Sequence, residues 1–88
     1  MRIHRNHSLG LEEAKRRVDL VAEEVGPRWN LRSWWVGDRM QVQGTGVTAL
    51  IAVAADSVEV RVKTGLAMMM FREAIRREIE GSIDHHIA

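Results

Sequence analysis

The sequence predicts an α+β fold: an antiparallel β-sheet meander with two helices packed on one face, in the order β-α-β-β-β-β-α. Three observations predict it. Residues 11–25 and 66–84 place apolar side chains at steps of three and four, the period of a helix with one buried face. Between residues 29 and 63 the period switches to two, the mark of a strand with alternating faces. Gly37-Asp38, Thr45-Gly46 and Asp56 divide that region into four, with links short enough to join antiparallel neighbours. Two one-sided helices and a one-sided sheet bury their apolar faces most simply against each other.

Residues 2–6 form a short opening strand, and Ser8 to Gly10 turn the chain into the first helix. There Leu11, Ala14, Val18, Val21, Ala22 and Val25 share one face. Glu12–Arg16 and Glu13–Arg17 are acid-before-base pairs, each contributing a few tenths of a kcal/mol, about 0.2–0.5. Both acids also suit the positive end of the helix dipole. Gly26-Pro27 is expected to end this helix, because proline disfavours the α region for the residue before it. Four strands follow at 29–36, 39–44, 47–54 and 57–63. The last is the clearest, with Val58, Val60 and Val62 alternating against Ser57, Glu59, Arg61 and Lys63. After Thr64-Gly65, a second helix is predicted over 66–84. Phe71, Ile75, Ile79 and Ile83 form its stripe, with Ala74 and Ser82 beside it. Gly81 disfavours its last turn by about 1 kcal/mol, so the helix is expected to fray or stop there.

The 88 residues suffice for a single α+β domain (1–88) with a thin core. Thirteen basic against twelve acidic residues leave a net charge of +1, which argues against a purely electrostatic nucleic-acid binder. The absence of cysteine excludes disulfides and thiolate metal sites and suits the cytoplasm. No apolar run approaches the roughly 20 residues of a membrane span, and His4, Arg5, Asn6 and His7 interrupt any signal-peptide core.

A sheet covered on one side should be polar on the other. The expected inward set is Leu31, Ser33, Trp35, Met40, Val42, Val47, Ala49, Ile51, Val53, Val58, Val60 and Val62. The strand at 47–54 breaks the rule, since Leu50, Ala52 and Ala54 then point outward, with Trp34 and Val36 able to join them. Such a face either contacts a partner, most simply a second copy of the chain, or is covered from within. Leu66-Ala67-Met68-Met69-Met70-Phe71 is the second candidate, apolar around a whole helix circumference. One stripe of it must be core. The rest, Met69 and Met70 included, either docks onto another surface or plugs an irregular interior.

Chemistry is harder to find. His4-x-x-His7 and His85-His86, with Asp84, come closest to a ligand set, but both pairs lie near chain ends and adjacent helical residues point about 100° apart. We read all four as surface or capping histidines, with His7 fixing the turn before the first helix, and expect no metal and no cofactor. Gly44-Thr45-Gly46 lies between strands and reads as a hairpin turn rather than a phosphate cradle. Arg28, Trp29, Arg32, Trp34, Trp35 and Arg39 interleave cations with aromatics, as single-strand nucleic-acid platforms do. Trp35 is expected in the core, however, and the surrounding charge is balanced. Ser8, Ser33, Ser57 and Ser82 have no His and Asp partners in this topology, so no enzyme is expected.

His7-Ser8-Leu9-Gly10-Leu11-Glu12-Glu13-Ala14 and Leu31-Arg32-Ser33-Trp34-Trp35-Val36-Gly37-Asp38 are the more specific blocks of the chain. Gly46-Val47, Ile51-Ala52-Val53, Val58-Glu59-Val60 and Ile75, Ile79 and Ile83 add to them. On these residues the chain resembles a family of small bacterial polyhydroxyalkanoic acid system proteins, associated with genes for storage-polyester granules. The resemblance runs from Ile3 to about Ile83. It implies an accessory role in polyhydroxyalkanoate granule metabolism or regulation and carries no catalytic residues. Expected partners are a second copy, as a homodimer, and the granule surface or its proteins. A small protein–protein or single-stranded nucleic-acid module without a granule role is the alternative.

Overall fold

The computed structural model describes residues 1–87. Its elements are β1 (Arg2–Asn6), α1 (Leu11–Trp29), β2 (Arg32–Val36), β3 (Arg39–Gly44), β4 (Val47–Val53), β5 (Ser57–Thr64), a 3-10 segment (Leu66–Phe71) and α2 (Arg72–His86). The strands form one antiparallel sheet in the order β1-β5-β4-β3-β2. The predicted α+β class and element order hold.

The connection from β1 to β2 explains why these two strands are the edges. A helix of 19 residues is about 28 Å long, enough to cross the roughly 19 Å that four strand steps occupy. α1 therefore carries the chain from one edge across the inner face to the other. Its buried residues are Ala14, Val18, Val21, Val25 and Gly26, and those of α2 are Ile75, Ile79, Ser82 and Ile83. Between them and the sheet, Ile3, Val60, Ile51, Met40 and Trp35 form one cross-strand row. All but the half-buried Trp35 are buried.

Two expectations are corrected. Pro27 does not end α1, which continues through Trp29 and closes on Asn30 in the left-handed region, where the Leu31 N–H donates to the Gly26 carbonyl (2.8 Å). Gly26 has no Cβ to meet the proline ring, which removes part of the usual clash. Pro27 and Glu23 are both exposed, so the carbonyl that loses its helical donor lies on the solvent side. The strand predicted from residue 29 accordingly starts at Arg32. The second correction is at Gly81: α2 passes it and ends at His86. Ser82, Ile83 and Ile87 are buried beyond the glycine and hold the last turns to the core. Ser33 points inward as expected, beside Val42 at the wall of an apolar cavity, but its place on edge strand β2 leaves it exposed.

Beside this edge the core is underfilled. Val42 and Ala49 are only half-buried, and an apolar cavity of about 40 Å³ lies among Val21, Val25, Trp29, Val42, Ala49 and Ile79. Small-ligand sites usually run to about 300–1,000 Å³, so this is a packing defect and not a pocket for a substrate.

Candidate interaction surfaces

Both helices lie on the inner face, and no element among the described residues covers the other. Pairing puts Trp34, Gln41, Leu50, Arg61 and Arg2 in one outer row. The next row is Val36, Arg39, Ala52, Glu59 and His4. Trp34 is 44% exposed and Val36 57%, while Leu50 and Ala52 are half-buried. The sequence thus places four of these residues on the face correctly. Ala54 lies beyond the end of β4, in the turn to β5, where its N–H donates to the Ser57 carbonyl (2.9 Å). The rows also show what residue-by-residue reading misses. β3 inserts Gln41 between Trp34 and Leu50, and Arg39 between Val36 and Ala52. The apolar residues share a face without forming a continuous patch. This was legible in the meander order, which requires β3 to separate β2 from β4.

Charge dominates the outer face. Glu59 accepts from Arg2 Nη2 (2.7 Å) through Oε1 and from Arg61 Nε (2.9 Å) through Oε2. The Arg2 hydrogen bond, and after it that of Arg61, holds the Glu59 carboxyl below its ordinary value against the opposing effect of burial.

The continuous apolar surface lies elsewhere. Leu66–Phe71 was predicted as the start of an α-helix, but it is a six-residue 3-10 segment. Gly65 before it is extended and offers no side-chain cap, and the first bond is the tight one from the Met68 N–H to the Gly65 carbonyl (3.0 Å). Three residues per turn leave one column in three facing inward. Met68 packs on the core, and Phe71 meets the Trp29 ring at 6.0 Å between centroids. The other columns point out. Leu66 is 92% exposed, Met70 83% and Met69 half, and Phe71, in the inward column, still keeps 42% of its surface open.

The Arg/Trp series divides. The Trp29 Nε1–H donates to Glu78, and Arg28 pairs with the same carboxylate (3.0 Å). Trp35 faces α1, donating to Asp19 Oδ1 (2.8 Å) beneath the Lys15 ammonium, which lies 4.9 Å from the ring centroid. Only Arg32, Trp34 and Arg39 remain together, and they are outside.

The histidines separate as well. His7 Nδ1 accepts the Leu9 N–H (3.1 Å), a local bond that shapes the turn into α1. His4 is exposed on the outer face of β1. His86 Nε2 lies 2.6 Å from Glu24, linking the end of α2 to α1, and Asp84 is held by Arg5 (2.8 Å). No group of three or more His, Asp or Glu able to hold a metal occurs among the described residues.

Fold and surfaces together define a small α+β protein whose distinguishing features are two exposed faces rather than a cleft. The chain belongs to the family described as "Putative polyhydroxyalkanoic acid system protein", whose pattern matches residues 1–87. No curated protein is significantly similar to it in sequence. No helix among the described residues is long and apolar enough to cross a membrane.

Proposed function

We propose that this protein is a non-enzymatic accessory component of the polyhydroxyalkanoate system, working in the cytoplasm and docking on a hydrophobic surface through the segment Leu66–Phe71. The surface is the storage polyester itself or the same segment of a second copy. One observation carries the reading: Leu66, Met69, Met70 and Phe71 expose large apolar side chains in a run without a charge. Contiguous exposed apolar area of this kind marks contact sites, and unbranched methionines adapt to a surface without fixed shape. Trp34 and Val36 are a lesser contribution, because β3 isolates them from Leu50 and Ala52.

The test is co-sedimentation of purified protein with polyester particles, comparing the natural chain with the double variant Leu66→Ser, Met70→Ser. Burying such side chains contributes about 1.5–3 kcal/mol each, so the variant should bind at least tenfold more weakly. Both positions are largely exposed, and the melting temperature should barely move. Sedimentation velocity on the same pair reads self-association. A natural chain that stays monomeric and leaves the particles bare would end the proposal, as would a double variant that behaves identically in both assays.

A further inference from the structure

Over the whole chain the charge is balanced, but over its two sides it is not. Five of the thirteen basic residues, Arg2, Arg32, Arg39, Arg61 and Lys63, lie on the outer face of the sheet with one of the twelve carboxylates, Glu59. The face therefore carries +4, and the rest of the chain −3. Glu59 is already shared by Arg2 and Arg61, so Arg32, Arg39 and Lys63 have no carboxylate partner among the described residues. Between Trp34 on one side and Arg61 and Lys63 on the other runs an open groove of about 490 Å³. Leu50 lies in its floor, and Gln41, Gln43 and Thr48 supply amide and hydroxyl groups along it.

We propose that this face binds single-stranded nucleic acid. Its occupant must be a polyanion, since the unpartnered cations are spread over β2, β3 and β5 rather than gathered at one point. It must also present flat rings, because Trp34 stands on a rigid strand with 44% of its surface open and Leu50 two strands away. A base stacked on Trp34 places its backbone within reach of Arg61 and Lys63, the arrangement by which sheet platforms hold unpaired strands. A duplex offers no free base face to an aromatic set in a flat sheet. An anionic lipid surface is better met by a protruding apolar wedge, and the wedge of this molecule is Leu66–Phe71, a different surface. The proposal therefore stands apart from the docking reading.

The experiment is fluorescence anisotropy with a labelled 12-nucleotide single-stranded oligonucleotide at several salt concentrations. Three to four phosphate contacts predict a fall in affinity of about 20- to 50-fold between 50 and 200 mM salt. Lys63→Gln should lessen the slope of log affinity against log salt by about 0.7. Trp34→Ala should weaken binding at least tenfold, and Trp34→Phe should restore most of it. The double variant Leu66→Ser, Met70→Ser should bind the oligonucleotide as the natural chain does. These side chains are solvent-facing, and unchanged circular dichroism would show that each variant folds. No binding at 20 mM salt overturns the proposal. So does binding indifferent to Trp34→Ala, or anionic vesicles or a 12-base-pair duplex bound more tightly than the single strand.

Discussion

At the scale of single residues, the structure separates side chains that look alike in the sequence. Trp29, Trp34 and Trp35 lie within seven positions, yet one ends a helix against Phe71, one faces solvent and one leans on α1. Alternation along β2 explains the split of Trp34 from Trp35. That of Trp29 depends on where α1 stops. Gly46 is constrained on two counts. Its φ of +74° lies in the left-handed region, and a Cβ there would come within 2.7 Å of Met68 Cγ. Its carbonyl also accepts the Gly65 N–H (2.8 Å), which fixes the approach to the 3-10 segment. Gly46→Ala should lower stability by about 1–2 kcal/mol from backbone strain alone, and further because Met68 must move. Gly37→Ala makes the control: its φ is +62° but nothing lies within 4 Å, so it should cost the strain only. In denaturant titrations, equal losses for the two would refute the role given to Met68.

At the scale of elements, the second helix shows how tertiary packing overrides local propensity. Gly81 disfavours helix, but three buried residues follow it, and their packing against α1 and the sheet outweighs about 1 kcal/mol. A Cβ at Gly81 would meet nothing within 4 Å, and the site is exposed. Gly81→Ala should therefore raise stability by about 0.5–1 kcal/mol and the melting temperature by a few degrees, roughly 2–8 °C. A lower melting temperature would mean that the helix needs the glycine for a bend. Pro27 teaches the same lesson from the other side, since a glycine before it and solvent beside it let the helix continue. Strand periods and turn pairs made β3, β4 and β5 legible nearly to the residue. The start of α2 was not, because an apolar run fits an α-helix and a 3-10 segment equally well. What separates them is the hydrogen-bond pattern, which opens with the i to i+3 bond from the Met68 N–H to the Gly65 carbonyl, and no residue type in the run signals it.

At the scale of the whole molecule, the thin core is supplemented by polar links that join elements distant in sequence. Arg5 reaches Glu80 and Asp84 from β1 to α2, His86 meets Glu24 from α2 to α1, and Lys15 reaches Asp38 from α1 to the β2–β3 turn. Composition lists these charges as a balanced total and cannot say which ones pair. That is also why the basic face of the sheet stayed hidden in a net charge of +1. Titration makes the pairing measurable. The Glu59 carboxyl is held below its ordinary 4.5, chiefly by the Arg2 hydrogen bond. That of Glu24 is lowered chiefly by His86, and that of Glu13 chiefly by Arg17. A carboxyl whose folded pKa is depressed adds stability that is fully present above its unfolded pKa and is lost as pH falls through the folded one. The melting temperature should therefore change little on these groups' account between pH 7 and 5, then fall below about pH 4.5. All three sites are at the surface, so 1 M NaCl should weaken the dependence. Glu59→Gln removes one of the three groups and should make the acid fall shallower than in the natural chain, with a lower melting temperature at pH 7. A Glu59→Gln chain that loses stability in acid as steeply as the natural one would show that the Arg2–Glu59–Arg61 cluster does not help hold β1 to β5.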